Sequence, residues 1–347
     1  MIVSMEKSNI LIFRSGLIGD TLVSVPVLSL LRNIEPFSSI SLISVIKNKD
    51  HVTPQSILVN SGLIDQFFEL RIYNYKIVYD FLKLIFFLLK NNIKVVFNLE
   101  SFEYRIKIKK LFFNFFGVKL FIYGDNYFSD KLSEYLIRIL HKYYDFKIPK
   151  ENESELKFDF SFEDSSFVEK WIEENVDPKH FNKLIAFGIN ANFKSKVWDI
   201  ENYVYIANEI IENEGLIPVL FGGANDSSLH VEFIERVGVG YNLAGVFTVR
   251  QSLYFMKYIQ FYIGNDTGVM HMAAVQKKKC FAVFSSFDVP YKWEPYGSNH
   301  HVYRSDIPCS RCFLRTCIDN DNLCLKMIEK ETVYFDIKKF LSIAIDI

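Results

Sequence analysis

Several short stretches of this sequence bring together residues whose types and spacing suit chemistry on an anionic ligand. In FRSGLIGDT, Phe13–Thr21, Gly16 and Gly19 permit a tight turn and close backbone approach, and Asp20 opens the helical stretch that follows. Asp20 reads either as a helix cap or as a carboxylate base exposed beside a ligand. In YIGNDTGVMH, Tyr262–His271, Asp266, Thr267 and Gly268 precede an apolar helical run. The N–H groups of such a helix start, with the Thr267 hydroxyl, make a ready phosphate site; the plain alternative is capping alone. His271, on the first turn, is either a further donor or a satisfied, partly buried imidazole. GINANFKSKVWD, Gly188–Asp199, contributes Lys196, one cation that in isolation reads as solvated. In FGGANDSS, Phe221–Ser228, Gly222 and Gly223 let a ligand or backbone pass closely, and Asp226 either holds a sugar hydroxyl or caps the next helix.

Cys309, Cys312, Cys317 and Cys324 form a separate group near the C-terminal end. Four thiolates so closely spaced can close a tetrahedral site for structural zinc or iron, or stand as reduced thiols or a facultative disulfide. Cys280, inside the apolar run KCFAVF, reads as core. The triplet Asp319–Asp321 has the D-x-D form that holds a divalent ion on a diphosphate, but it follows no strand and reads as surface.

These loops need a scaffold, and the apolar patterning supplies one. Short β-branched runs at Ile10–Arg14, Ile40–Ile46, Val95–Leu99 and Lys119–Tyr123 alternate with helical patterns at Leu22–Leu31, Tyr75–Lys90, Tyr104–Phe115 and Asp130–Tyr143. After a charged connection, Lys147–Asp164, strands at Leu184–Phe187, Ile217–Phe221, Phe261–Gly264 and Cys280–Phe284 alternate with helices at Glu201–Glu214, Leu229–Val237, Arg250–Tyr258 and Gly268–Val275. A last helix is expected over Thr332–Ile347. Strands alternating with helices of this length indicate parallel sheets covered on both faces, and ligands of such sheets bind beyond the strands' carboxyl ends. The motif loops fall at those ends.

The length of 347 residues fits two domains. With 40 Lys+Arg against 41 Asp+Glu, a formal charge of -1, no global field draws the chain onto nucleic acid, and no nucleic-acid partner is expected. The apolar stretch Leu82–Leu89, broken by Lys83, is far short of the ~20 residues a spanning helix needs. Met1–Asn9 carries Glu6 and Lys7 and lacks the apolar core of a signal peptide. The expectation is a soluble, cytoplasmic protein.

Taken in order, these stretches resemble glycosyltransferase family 9, the ADP-heptose:lipopolysaccharide heptosyltransferases. NILIFRSGLIGDTLVSVPVLSLLR resembles the family's opening strand, R/K-x-x-x-x-G-D turn and helix; FGINANFKSKVW its H-P-G-A-S-x-x-x-K-x-W segment; FGGANDSS its G-G-x-x-E/D turn. YIGNDTGVMHMAA resembles its G-N-D-S/T-G-x-x-H-L-A-A signature, and CSRCFLRTCIDNDNLCLKMI its cysteine-bearing tail. The matches run from Ile10 to Ile328, with Gly188 where the family often has His, Asn190 where it has Gly, and Asp226 where Glu is frequent. No family motif falls between Lys47 and Tyr144, where acceptor choice is expected to reside.

The resemblance implies an α/β protein of GT-B architecture, two Rossmann-like domains with parallel sheets facing an interdomain cleft. Residues 1–160 would form the acceptor side and residues 161–330 the nucleotide-sugar side, with helix 331–347 packing back on the first domain. It implies an inverting transfer without a catalytic metal, from ADP-heptose to a lipopolysaccharide core or related glycan acceptor, in the cytoplasm or at the cytoplasmic face of the inner membrane. Asp20 would be the general base. Lys196, Asp226, Asp266, Thr267, Gly268 and His271 would serve the donor, and Gly16 and Gly19 the first turn. A GT-B enzyme using another nucleotide sugar, or a non-catalytic nucleotide- or glycan-binding protein, remain alternatives. A nicotinamide dehydrogenase is disfavoured because no G-x-G-x-x-G is present.

Overall fold

The computed structural model describes residues 9–47, 52–73, 76–91, 93, 95–99, 113–114, 117–121, 131–144, 146, 156–318 and 320–345. The expected helix Tyr104–Phe115 lies largely outside them, as do the start of the charged connection and Asp319. The chain divides into two compact units, Met1–Ser161 and Phe162–Ile347.

In chain order the first unit contains β1 (Asn9–Phe13), α1 (Ile18–Leu22), α2 (Val25–Ile34), β2 (Ser39–Ile46), α3 (Pro54–Leu58), β3 (Gln66–Arg71), α4 (Lys76–Lys90), β4 (Val95–Asn98), β5 (Lys119–Phe121) and α5 (Leu132–His141). Its strands are all parallel, in the order β3-β2-β1-β4-β5. The expected single helix Leu22–Leu31 is two: α1 ends at Leu22, and Pro26 sits in the first turn of α2, where a missing N–H costs nothing. Leu84, Phe87 and Leu88 of α4 join Leu11, Phe13, Ile43 and Val96 in one core.

The second unit runs α6 (Phe162–Asn175), β6 (Leu184–Gly188), α7 (Ile200–Glu214), β7 (Ile217–Leu220), α8 (Ser227–Val237), β8 (Tyr241–Asn242), α9 (Val249–Phe255), β9 (Ile259–Asn265), α10 (Gly268–Val275), β10 (Lys279–Val283), β11 (His301–Tyr303), α11 (Leu323–Lys326) and α12 (Lys330–Ile345). Its sheet is also parallel, in the order β11-β10-β9-β6-β7-β8. Local chemistry fixes the helix ends. The Asp199 carboxylate accepts from Glu201 N at 3.1 Å to start α7, and Gly215 ends it in the left-handed region at φ 62°. Thr248 and Gln251 cap α9 reciprocally, at 3.2 and 2.9 Å.

The final helix contributes to the second unit's core. Val333, Ile337 and Leu341 of α12 are buried with Tyr203, Ile206 and Ile210 of α7 and with Phe261 and Phe281 of the sheet. Its apolar residues recur at helical spacing, and α7 offers the matching stripe. Among the described residues no helix is long and apolar enough to cross a membrane.

Candidate functional site

In the second sheet the strand order reverses between β6 and β9, so the loops after those two strands flank one crevice at the carboxyl edge, where parallel α/β sheets bind ligands. The loop Gly188–Asp199 follows β6, and Asp266, Thr267 and Gly268 follow β9. A single buried amide ties them together. Asn265 is fully buried; its Oδ1 accepts from Trp198 N at 3.1 Å and from the Tyr203 hydroxyl at 2.7 Å, and its Nδ2 donates to Ile189 O at 3.0 Å. The Trp198 indole in turn donates to Leu325 O at 3.1 Å.

Lys196 lies close before Trp198 and Asp266 directly after Asn265, so this amide sets their meeting. Lys196 Nζ contacts Asp266 Oδ2 at 2.5 Å, with both side chains largely shielded, and Nζ stands 5.2 Å from the Phe287 ring centre. Lys196 is therefore held rather than simply solvated, and Asp266 is occupied as its partner. Thr267 is the N-cap residue of α10, in extended conformation, yet its hydroxyl makes no capping bond and lies 3.5 Å from the Tyr262 hydroxyl. The first-turn N–H groups of α10, beginning at Gly268, thus lack a side-chain cap, the condition under which a helix start receives an anion. His271 is buried, its ring 6.4 Å from Trp293 in an edge-on arrangement.

Gly188 has a physical reason for standing where a larger residue is frequent. A Cβ there would lie 2.3 Å from the Tyr262 hydroxyl, and one at Gly264 would lie 2.4 Å from the same oxygen. Tyr262 fills that space, donates to Asn265 O at 2.7 Å, and burial drives its phenol far above the usual range. Its ring occupies room that a side chain at 188 would need.

Asp226 folds back at the start of α8. Its Oδ2 accepts from Gly223 N at 2.8 Å, and its Oδ1 accepts from Asn190 Nδ2. Asn190 Oδ1 also accepts from Ala191 N at 2.8 Å, so the residue joins the loops after β6 and β7. Gly222 is required here, since its Cβ would meet Asp226 Oδ2 at 2.5 Å. The cap and ligand readings of Asp226 are not exclusive: the carboxylate closes its turn and remains at the sheet's carboxyl edge.

In the first unit the strand order reverses between β1 and β4, and the loop Arg14–Asp20 emerges at that point. Arg14 is buried; its Nε donates to Asp20 O at 2.7 Å and its Nη1 to Leu99 O beyond β4. Asp20 Oδ1 lies 3.6 Å from Arg14 Nη2, and Oδ2 accepts from Leu17 N at 2.9 Å. Asp20 occupies the third position of α1 and reaches back to the cap residue, leaving its side chain about a quarter exposed at 23%. Gly16, at φ 127°, makes the turn possible: a Cβ would lie 2.5 Å from Asp20 Cγ. Gly19 lies inside α1, directly before Asp20.

Cys309, Cys312, Cys317 and Cys324 line one cavity with Ser195, Ser286 and Phe287. Burial raises the Cys324 thiol, and the neighbouring Cys309 and Cys317 raise it further. Among the described residues no three His, Cys, Asp or Glu side chains converge closely enough to hold an ion as they stand, and all five cysteines are free thiols. Asp321 pairs with Lys326 on the surface, and Cys280 is buried in β10 as expected.

Sequence reasoning passed over Asn265, Tyr262 and a cluster after β10, and took Asn190 only as a turn residue. In that cluster Asp288 Oδ2 accepts from Trp293 Nε1 at 2.7 Å and lies 3.6 Å from Lys292, which is buried. The available signal was position: Asp288, Lys292 and Trp293 follow a strand that the topology sets beside β9.

Comparison with known proteins bears on the whole of this arrangement. The model of glycosyltransferase family 9 (heptosyltransferase) matches residues 137–322. A lipooligosaccharide heptosyltransferase 2 of Campylobacter jejuni is 24% identical over 233 residues, 61% of this chain and 72% of that protein. A solved glycosyl transferase family 9 structure from Veillonella parvula superposes with a TM-score of 0.75 at 18% identity, covering 98% of both chains. The ADP-heptose LPS heptosyltransferase II of E. coli gives a TM-score of 0.68 at 18% identity, covering 96% of this chain and 98% of that one. The structural likeness establishes the fold, two parallel α/β units of GT-B type.

The Asn265 staple is testable. Asn265→Ala leaves the Tyr203 hydroxyl, Trp198 N and Ile189 O buried without their partner, and each such group costs about 1–3 kcal/mol. The urea midpoint should fall by an amount corresponding to at least ~3 kcal/mol. A midpoint within experimental error of the parent would show that the amide does not organise the two loops.

Proposed function

We propose for this chain, which belongs to glycosyltransferase family 9 and is a glycosyltransferase of heptosyltransferase type, an inverting transfer of heptose from ADP-heptose to a lipopolysaccharide core or related glycan. The observation that carries the donor half is the α10 start: uncapped N–H groups next to a lysine held by a carboxylate. An ammonium has three donors. Asp266 engages one, which orients Lys196 and leaves the others for phosphate oxygens. Because the pair is neutral by itself, the N–H groups of α10 and the Thr267 hydroxyl supply much of the preorganised stabilisation as the diphosphate departs. In this reading Asp266 and His271 position the loop, and no catalytic metal is expected. The E. coli relative is described as acting with ADP-heptose, which supports the donor.

Asp20 is the proposed general base. It is tied at Oδ2 to Leu17 N, and Arg14 lies near Oδ1, so the carboxylate is fixed in direction while part of it stays open to an acceptor hydroxyl. One observation favours a second reading, a different nucleotide sugar. Asp226 is shorter than the family's frequent Glu and is already engaged by Asn190, so its sugar contact differs from that pattern. A panel of nucleotide sugars with product detection by mass separates the two readings. The proposed location is the cytoplasm, at the inner face of the inner membrane where such acceptors are built.

Two substitutions divide the machinery. Asp20→Asn keeps an oxygen for Leu17 N and should lower kcat by about 10²–10⁴-fold with ADP affinity unchanged, a positioned base being worth that much. Lys196→Ala and Thr267→Ala should each weaken ADP binding by about 1.5–3 kcal/mol in calorimetry, the cost of a hydrogen bond to a charged group. Parent-like turnover in the first, or parent-like affinity in both of the others, removes the corresponding role.

For the cysteine cluster we propose a structural zinc or iron site outside the transfer chemistry. Elemental analysis of the purified protein should find about one equivalent, and Cys312→Ser should lose it together with thermal stability. Metal-free protein with four freely titrating thiols would leave the cluster as reduced cysteines.

A further inference from the structure

Among the described residues, exposed apolar side chains are most closely grouped in one place. Most exposed large apolar side chains, such as Phe37, Phe162 and Ile318, stand in separate segments, as on most soluble proteins. Helix α4 differs. Its inner face, Leu84, Phe87 and Leu88, is sealed into the core, with Phe87 4.3 Å from Phe68 between ring centres. Its outer face carries Val78, Tyr79, Leu82, Phe86 and Leu89, with Phe86 66% and Leu89 67% exposed. At 100° per residue these five fall in one band about 100° wide. That band is normally the polar side of a surface helix.

The charges on α4 are arranged to match. Lys76, Lys83 and Lys90 are all exposed and recur at heptad spacing along one edge of the apolar band. Lys83 lies over the Tyr79 ring at 5.0 Å. The one acid of the helix, Asp80, is buried and turned to Arg71, whose Nε contacts its Oδ2 at 2.8 Å. That hydrogen bonding holds its carboxyl below the usual range. The outer face of α4 is therefore apolar and purely basic.

We propose that α4 is a membrane-docking helix, lying flat on an anionic phospholipid surface with Val78, Leu82, Phe86 and Leu89 in the headgroup–acyl boundary and the lysines on lipid phosphates. A helix of 15 residues is about 22 Å long, too short to span a ~30 Å hydrocarbon core but suited to lying along it. The charge selects this occupant over a second copy of the chain: a facing α4 would offer the lysines no exposed acid, whereas anionic headgroups complement them. The inference rests on the location proposed above but not on the transfer chemistry.

The test is cosedimentation of the full chain with two vesicle types, phosphatidylethanolamine mixed with phosphatidylglycerol, and phosphatidylcholine alone, at low and high salt. The expected result is binding to the phosphatidylglycerol vesicles that weakens with salt. Lys83→Ala with Lys90→Ala should lower the partition by about 30-fold, each lysine near an anionic surface contributing on the order of fivefold. Leu82→Ser with Phe86→Ser and Leu89→Ser should abolish it at low salt while leaving the melting temperature unchanged. A parent protein that stays in the supernatant with both vesicles overturns the proposal. So does undiminished binding in the triple variant, or a dimer in light scattering that the triple variant dissociates. Vesicle binding without transfer on any acceptor would instead remove the enzymatic reading and leave the docking face standing.

Discussion

The carboxamide of Asn265 is the joint on which the arrangement of the second unit's loops depends. A buried amide must satisfy its donor and acceptor or cost free energy on both, and Asn265 does so by holding the backbone of one loop, the carbonyl of another residue in that loop and a hydroxyl from α7. The consequence is geometric. Trp198 is pinned, so Lys196 just before it has little freedom; Asn265 is pinned, so Asp266 just after it points at Lys196. An ion pair between long side chains would ordinarily lose entropy on forming, and here most of that loss is already met by the fold.

The first unit solves the same problem with a different residue. Both sheets reverse their strand order next to their first strand, and in each a buried polar side chain bridges the two loops that open there. In the first unit it is Arg14, whose guanidinium is spent on backbone carbonyls at Asp20 and Leu99 and stands near the Asp20 carboxylate. A buried guanidinium with five donors in a rigid fork can hold two loops at once, and leaving it unpaired would be far more costly than leaving an amide unpaired. The Asp20 carboxylate is thus flanked by a buried cation at one oxygen and by Leu17 N at the other.

The interior strands were legible in the sequence because each is a short, largely apolar run bounded by turn residues. Those the sequence hid are edges: β3, with Gln66, Glu69 and Arg71 among its aromatics, the two-residue β8, and β11. An edge strand needs no continuous apolar run, so its pattern merges with the loops around it. Helix α6 was hidden for a related reason, its first turn being charged and its packing on α9 depending on a few residues such as Val168 and Ile172. In the site, Gly16, Asp20, Lys196 and Thr267 could be read because turn glycines and polar residues after strands announce themselves. Tyr262 could not. A tyrosine inside an apolar strand looks like core, and only the two glycines whose space it takes, Gly188 and Gly264, reveal that its hydroxyl belongs to the loop network.

The cysteine segment is joined by direct contact to the loop that carries Lys196. Ser195 N, next to Lys196, donates to Arg315 O at 3.2 Å, and the Arg315 guanidinium lies 5.1 Å from the Phe193 ring centre. Phe193 packs on Phe287, and Phe287 on Phe313, so aromatic side chains from three segments form one wall beside the four thiols. Phe287 also faces the Lys196 ammonium. The thiol cluster and the loop that carries Lys196 therefore share one packed boundary. Any change in the cluster's packing is thus felt first through Ser195 and Phe287, the two residues that line its cavity and adjoin Lys196.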